Sequence, residues 1–277
     1  MKWLKFILSH SIFISVCAAA LCYQTFELLH IQPDKFIYGF VFSSTLCSYN
    51  FYWLISKFYF SDRSFLTKFI QKNFFNFFFF AVAGIGMLFC LYKTPGIFPQ
   101  VIVAVILTLA YSLPLWPVKQ LAFTRKAGFL KTVLLAFTWT YVTVMIPAAG
   151  SGSIPETSIA LLFTARFLFM LMLCTIFDSR DINIDKMHAL RSLATDVSRS
   201  TLQKIMLTVF ALYLLTGMLL RYFFDEHAQL AAFLVTGILT FIVYRLSLNS
   251  RGYYFYYFLV DGLMLFSALA TFVASIS

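Results

Sequence analysis

The stretch that decides the architecture of this chain reads Asp178-Ser-Arg-Asp-Ile-Asn-Ile-Asp-Lys-Met-His-Ala-Leu-Arg-Ser-Leu193, and it follows directly on an apolar run over 161–177. Its three acids are Asp178, Asp181 and Asp185, with the spacing i, i+3, i+7. On a helix this spacing places the three side chains on one face, over about two turns. Three carboxylates on one face repel each other unless a cation lies among them, so the row predicts a cation site.

Basic residues accompany the acid row: Arg180 lies within it, and Lys186 and Arg191 follow it. Carboxylate oxygens suit a hard cation such as Mg²⁺, and basic side chains suit the remaining charge of a phosphate. The pattern therefore predicts a site for a Mg²⁺-bridged diphosphate beside a membrane surface. A solvated charged loop between two membrane helices is the alternative, and the ordered spacing of the acids argues against it.

The composition indicates a membrane protein. Of 277 residues, 61% are hydrophobic and only 12% are charged, whereas soluble domains are about 25% charged. No polar stretch is long enough for a separate soluble domain, so residues 1–277 are expected to form one transmembrane domain. The net charge of +10 resides in short loops, where lipid headgroups and the positive-inside rule explain it better than nucleic acid does.

The cysteines and the N-terminal apolar run are expected to be parts of membrane helices. All five cysteines lie in apolar segments without metal-ligand spacing, so we expect small buried side chains and neither disulfides nor metal ligands. The apolar run that follows Lys5 continues to about Leu29 without a convincing cleavage site. It is therefore read as a retained first helix and not as a signal peptide.

Apolar length predicts an all-α polytopic protein with nine spans. Their approximate bounds are 6–29, 36–56, 74–93, 98–115, 129–149, 157–177, 203–221, 228–246 and 253–276. With the N-terminus placed in the cytoplasm, only Lys35, Lys93 and Arg221 of the 21 basic residues lie outside, and Arg166 lies within a span. This asymmetry supports the count and puts the acid row on the cytoplasmic side.

Ionisable residues within spans are costly, and they usually face the bundle interior. Arg166, Asp261 and, near a span end, Glu27 are such residues. A pair between Arg166 and Asp261 is one arrangement that the sequence allows. His188 stands alone in the acidic stretch and is assigned no catalytic role.

The chain resembles the UbiA superfamily of intramembrane aromatic prenyltransferases. That family has nine membrane helices and two aspartate-rich motifs on cytoplasmic loops. The second motif runs in the same register here from Phe177: the acids Asp178, Asp181 and Asp185, the basic Lys186 and Arg191, and Leu193 are kept, whereas Ser192 replaces a threonine and Ala194 a proline. The stretch from Tyr111-Ser-Leu-Pro114 to Lys119 also resembles a family segment, though less specifically.

The first motif of the family is lost. Asn50 is kept, but Phe51, Leu54 and Phe58 occupy the three acid positions. Phe and Leu offer no oxygen to a cation, so one Mg²⁺ ion is expected and a second is doubtful. The nearest acid is Asp62, and it would replace the lost carboxylates only if it faced Asp181 across a cavity.

The resemblance implies a prenyltransferase that binds a prenyl diphosphate and transfers its prenyl group to an unidentified lipid-soluble acceptor. Asp178, Asp181 and Asp185 would be the catalytic metal ligands. The diphosphate would be bound by a further set of side chains: Asn50, Lys119, Arg125, Lys186 and Arg191. The rings of Tyr52, Trp53 or Tyr111 would stabilise an allylic carbocation.

Two other functions stay open at this point. The chain could be an inactive homologue with the same fold that binds an isoprenoid lipid or serves as a partner in a membrane assembly. A transporter is a weaker alternative, because the sequence shows no internal repeat and few polar residues within spans. For the first two functions we expect an integral protein of the bacterial cytoplasmic membrane, with its motif loops on the cytoplasmic side.

Overall fold

A computed structural model describes the chain over 2–59, 73–112, 128–149, 154–187, 192–224, 227–249 and 251–276. Within these ranges all regular structure is helical. The first seven helices are α1 (Lys2–Ser9), α2 (Ile12–Leu28), α3 (Lys35–Tyr59), α4 (Phe74–Lys93), α5 (Phe98–Ser112), α6 (Gly128–Thr140) and α7 (Ile146–Ala149). The remaining five are α8 (Glu156–Met187), α9 (Leu193–Asp196), α10 (Arg199–Phe224), α11 (His227–Ser247) and α12 (Asp261–Ser275).

Seven helical segments in the described part of the chain are long and apolar enough to cross a membrane, and an eighth is counted if the bent pair α1 and α2 forms one span. The integral membrane character predicted from composition is thus confirmed, whereas the count of nine stays a prediction. Helix α3, which coincides with the second predicted span, is 25 residues long but is not among the seven. It carries serine, tyrosine and asparagine side chains, which lower its hydropathy, and it packs between α2 and α4.

Helix α8 occupies the centre of the bundle. It packs against α6, α9, α10 and α11, and 61% of its most apolar window is buried. Ala165, Met172 and Ile176 on this helix are fully buried. A helix that is apolar on all sides belongs inside a bundle, and the ends of α8 are therefore fixed by several neighbours at once.

The bundle closes on itself, because α12 packs against both α11 and α2. Two π-helical turns interrupt otherwise α-helical segments, at Tyr141–Met145 before α7 and at Phe255–Val260 before α12. Such turns often occur at functional sites because they re-aim the side chains that follow. The second turn directly precedes Asp261.

Arg166 lies in a fully paired polar cluster inside the bundle. Its Nη2 donates to Gln24 Oε1 at 2.8 Å, and its Nη1 donates to the Leu21 carbonyl and to Thr143 Oγ1 at 3.2 Å each. Gln24 Nε2 in turn donates to Thr271 Oγ1 at 2.8 Å. The Arg166–Asp261 pair that the sequence allowed is therefore not formed, because neutral oxygens on α2 and on the first π-helical turn satisfy the guanidinium.

The five cysteines are free thiols, four of them buried, and the prediction that none forms a disulfide is confirmed. Close packing of α3 on α4 uses small residues. A Cβ atom on Gly39 would lie 2.8 Å from Cys90 Sγ, and one on Gly86 would lie 3.0 Å from Ser43 Oγ. Small residues let membrane helices approach closely, which keeps α3 in place beside the site.

Candidate functional site

The acid row lies near the end of α8, because this helix continues to Met187. Asp178 and Asp181 are both half-buried, and this end of the bundle is called the acid end below. The backbone of Asp185 and Lys186 belongs to the same helix, while their side chains lie outside the described part of the structure. A continuous helix from Glu156 onward means that the core of the protein fixes the position of the first two carboxylates.

Asp178 is tied to two other parts of the chain through Thr132 on α6. The Thr132 hydroxyl donates to Asp178 Oδ2 and accepts a hydrogen bond from the Leu193 amide at 3.3 Å. Thr132 is only 2% exposed. This one hydroxyl therefore joins α6, the acid row and the start of α9, and a buried position makes the link difficult for water to replace.

The segment after the acid row is fixed by its own small core. The Ser192 amide donates to Thr195 Oγ1 at 2.8 Å, and this capping arrangement begins α9. Leu193, Ala194 and Leu202 are buried together. The motif positions Ser192 and Leu193 thus have a structural use at the acid end, where they hold α9 against α6 and α8.

Arg180 and Asp181 form a bidentate ion pair. Arg180 Nε and Nη2 donate to Asp181 Oδ1 and Oδ2 at 2.6 Å each. The guanidinium also lies over three aromatic rings, 5.0 Å from the centroid of Phe177, 5.2 Å from Tyr256 and 5.0 Å from Tyr257. Arg180 Nη1 is buried and has no hydrogen-bond partner among the residues that the structure describes.

Asn50 is fully buried and joins α3 to α4 and to the corner after α1. Its Nδ2 donates to the Leu46 carbonyl at 2.8 Å and to the His10 carbonyl at 3.2 Å, and its Oδ1 accepts from Asn76 Nδ2 at 3.0 Å. The amide expected to bind diphosphate is thus fully engaged by helix contacts in this structure. Its role at the diphosphate stays a prediction.

Aromatic side chains of α3, α5 and α6 lie against each other, and α6 also carries Thr132, the hydrogen-bond partner of Asp178. The rings of Tyr52 and Tyr111, the two residues expected to stabilise a carbocation, stack with centroids 5.9 Å apart and planes 16° apart. Trp139 Nε1 donates to the Tyr49 hydroxyl at 3.2 Å. Both tyrosines of the stack and Tyr49 are half-buried. Helices α3, α5 and α6 thus supply a group of electron-rich rings, called the aromatic cluster below.

The apolar residues at the acid positions of the first motif pack against other side chains of the bundle. Phe51 stacks on Phe80 with centroids 5.6 Å apart and is 44% exposed. Leu54 is 6% exposed and belongs to the packed interior. The side chain of Phe58 lies outside the described part of the structure.

Asp261 was not among the expected site residues, and the structure brings it to this region. It is 5% exposed, and it follows by four residues Tyr257, whose ring centroid lies 5.0 Å from the Arg180 guanidinium. The signal in the sequence was its occurrence as an acid within an apolar span. Its nearness to Arg180 could not be read from the sequence, because Arg180 lies on another helix.

Four expected site residues lie outside the described residues: Asp62, Lys119, Arg125 and Arg191. The expectation that Asp62 faces Asp181 likewise stays a prediction.

The donor chemistry of the acid row fits a hard divalent cation, because Asp178 and Asp181 offer carboxylate oxygens. Among the described side chains no group of three or more ligands is assembled, and the side chain of Asp185 is not one of those searched. Asp178 Oδ2 already accepts from Thr132, and both oxygens of Asp181 accept from Arg180. A cation would therefore share these carboxylates with Thr132 and Arg180.

Comparisons with known proteins identify the fold. No protein-family model matches the sequence, and no curated protein matches it. Among solved structures, the apo structure of a UbiA homologue from Aeropyrum pernix K1 superposes with a TM-score of 0.63 at 11% identity, covering 96% of this chain and 98% of that one. A digeranylgeranylglyceryl phosphate synthase superposes with a TM-score of 0.58 at 16% identity, covering 100% of this chain and 99% of that one. At these identities the likeness shows the fold alone, and over its whole length the chain has the fold of UbiA-type membrane proteins.

Proposed function

We propose that this protein is a membrane prenyltransferase that binds a prenyl diphosphate at the acid end and transfers the prenyl group to a lipid-soluble acceptor. The fold and the position of the acid row support the proposal together. The chain has a UbiA-type fold over its full length, and the acid row on its central helix is bonded to α6, the helix that also carries Trp139 of the aromatic cluster. The observation that carries it is the anchoring of Asp178 through Thr132 to the segment at Leu193. A merely solvated loop would need no buried anchor.

The diphosphate would be held from two sides. Asp178, Asp181 and Asp185 would hold Mg²⁺, which when bound neutralises the diphosphate and makes it a better leaving group. Lys186, Lys119, Arg125 and Arg191 would cover the charge that a second metal site otherwise neutralises, since the carboxylates of the first motif are absent. The guanidinium of Arg180 orients the Asp181 carboxylate through their bidentate ion pair.

The prenyl chain would extend from the acid end into the aromatic cluster. As the bond between the allylic carbon and the diphosphate lengthens, positive charge develops on the carbon. The faces of Tyr52 and Tyr111 carry negative potential that stabilises such a charge. The half-buried rings also exclude water, which would otherwise capture the cation.

The substrates would be lipids. One neighbour is, by its name, a synthase of digeranylgeranylglyceryl phosphate, so an isoprenoid donor and a membrane-soluble acceptor are the chemistry expected here. Location in the bacterial cytoplasmic membrane, with the acid end on the cytoplasmic side, follows from the distribution of basic residues and belongs to the same proposal.

The proposal is tested by the binding of fluorescent geranylgeranyl diphosphate to detergent-solubilised protein, with and without Mg²⁺. We expect Mg²⁺-dependent binding that is weakened at least about tenfold by Asp181→Asn, because a charge-assisted contact is worth about 1.5–3 kcal/mol. The matched control is Glu156→Gln, which neutralises an exposed acid at the opposite end of α8.

Loss of binding in Asp181→Asn but not in Glu156→Gln would support the diphosphate site, and a screen of acceptors would follow. If the folded wild-type protein binds no prenyl diphosphate with Mg²⁺ present, the prenyltransferase proposal is wrong. An inactive lipid-binding homologue would then be the function left to test.

A further inference from the structure

Three arginines meet at the end of α11. Arg199, which begins α10, donates from Nη2 to the Leu248 carbonyl at 3.2 Å, and Arg251 donates from Nε to the Leu246 carbonyl at 2.9 Å. Arg245 belongs to the last turn of α11 itself. Because the two carbonyls are only two residues apart, the three side chains surround one helix end, and they are called the arginine patch below.

The arginine patch is exposed at all three residues, and most of its donors are not used within the described part of the chain. Basic side chains commonly donate to the last carbonyls of a helix, and this capping accounts for one N–H group of Arg199 and one of Arg251. A guanidinium has five N–H groups, and Arg245 donates to no described residue. Capping of α11 therefore leaves several N–H groups for a ligand.

The charge of the patch indicates an anionic ligand. The exposed acid nearest to it in sequence is Asp196, three residues before Arg199, so three positive charges stand against one negative charge. Guanidinium groups bind phosphate oxygens through paired N–H donors, which fixes the geometry as well as the charge of the ligand. A phosphate group is therefore the anion that this patch fits.

An exposed apolar face of α11 adjoins the patch. Ile238 and Ile242 precede Arg245 by seven and three residues, and at this spacing the three side chains share one face of the helix. Leu246 continues the face one turn after Ile242. All three apolar side chains are exposed, and acyl chains of the bilayer are as apolar as they are. The ligand that fits both surfaces has a phosphate at one end and a hydrocarbon chain at the other.

The patch lies at the acid end without being part of the acid row, since α10 begins there directly after α9. The guanidinium of Arg251 is 5.7 Å from the centroid of the Phe255 ring, whereas that of Arg180 is 5.2 Å from the Tyr256 ring. These two rings contact each other edge to face at 5.1 Å. The two arginines thus contact different rings of the second π-helical turn, and the patch forms a separate basic surface.

We propose that the arginine patch binds the phosphate of an anionic phospholipid, whose acyl chain lies along Ile238, Ile242 and Leu246. Each basic side chain near a membrane surface adds attraction for an anionic headgroup. A zwitterionic headgroup brings its own cation, which the arginines repel, so the site discriminates between headgroups on identical acyl chains. The inference does not depend on the proposed prenyltransferase function, since neither Mg²⁺ nor a prenyl diphosphate takes part.

The test is displacement of a phosphatidylglycerol with a fluorescent acyl chain from detergent-solubilised protein, without Mg²⁺ or prenyl diphosphate. The competitors are dioleoyl phosphatidylglycerol and dioleoyl phosphatidylcholine, which differ only in the headgroup. We expect the wild type to bind the first about tenfold more tightly, which is the usual difference for one charge-assisted contact. The double variant Arg199→Gln/Arg251→Gln should abolish this preference. The matched control Lys35→Gln/Lys93→Gln removes the same charge from exposed residues of α3 and α4 and should keep it.

Several results would overturn the inference. They are equal affinity of the wild type for the two lipids, absence of binding by both, an unchanged preference in the double variant, and loss of the preference in the lysine control. If inorganic phosphate displaces the fluorescent lipid as effectively as dioleoyl phosphatidylglycerol does, the patch is a site for free phosphate and the lipid proposal is wrong.

Should the double variant not fold, because its two arginines also cap α11, Arg245→Gln decides the matter. This substitution leaves both capping hydrogen bonds in place, and it should reduce the preference for phosphatidylglycerol about fivefold, the contribution of one basic residue at an anionic surface. An Arg245→Gln protein with the preference of the wild type would contradict the proposed lipid site.

Discussion

Two ionisable residues lie deep in the helical bundle, Arg166 on α8 and Asp261 at the start of α12, and their surroundings differ. Arg166 donates to Gln24, Thr143 and the Leu21 carbonyl. Asp261 has no hydrogen-bond partner in the described part of the chain, and its neighbour Arg180 keeps one nitrogen unpaired. The polar atoms of Arg166 are thus bonded within the protein, whereas no residue of the described ranges hydrogen-bonds to Asp261. Burial of a charged group alone does not mark a functional site; the pairing of its polar atoms separates a structural charge from a functional one.

The largest effect on stability is expected at Arg166. Arg166→Met removes three hydrogen bonds to a charged donor and leaves buried oxygens without partners. We expect it to lower the free energy of unfolding by about 3 kcal/mol, measured by thermal or denaturant unfolding in detergent. Arg245→Met, at an exposed position on α11, is the control and should change it little. A stable Arg166→Met protein would mean that the cluster is not structural.

A smaller effect is expected at the anchor of the acid row. Thr132→Val keeps the shape of the side chain but loses its hydrogen bonds with Asp178 and Leu193. We expect Mg²⁺-dependent binding of geranylgeranyl diphosphate to weaken about tenfold and Thr132→Ser to restore it. Thr164→Val is the control, because this exposed threonine on α8 bonds only to its own helix. Equal binding by wild type and Thr132→Val would show that the anchor is dispensable.

The smallest effect on stability is expected at Asp261, in direct contrast with Arg166. Because no described residue hydrogen-bonds to its carboxyl, Asp261→Asn gives up no hydrogen bond within the described ranges and keeps a side chain of the same size. The free energy of unfolding should change by no more than about 0.5 kcal/mol, or should rise. A loss as large as that of Arg166→Met in the same unfolding measurement would make Asp261 a structural residue.

Much of the fold could be predicted from the sequence. Apolar length and low charge predicted an all-helical membrane protein, and the spacing of the acids predicted their common helical face. The free cysteines followed from their apolar surroundings. These features are local, because membrane helices satisfy their backbone hydrogen bonds within each segment.

Other features depended on contacts between distant segments. The sequence allowed a pair of Arg166 and Asp261, but Gln24 on α2 is the partner of Arg166. Asn50 joins α3 to α4 and to the corner after α1, a use that its sequence neighbours did not indicate, and its role at the diphosphate stays a prediction. Thr132 was not singled out, since one threonine in an apolar helix gives no signal until its neighbours are known.

By itself, the sequence determined that this is a helical membrane protein with an acid row next to its sixth predicted span. Only the tertiary structure decided which buried polar groups of the described residues are hydrogen-bonded and which are not. The reason is physical: hydropathy and helical spacing act within one segment, whereas a hydrogen bond between Arg166 and Gln24, or its absence at Asp261, requires atoms from helices far apart in the chain to lie within about 3 Å of each other.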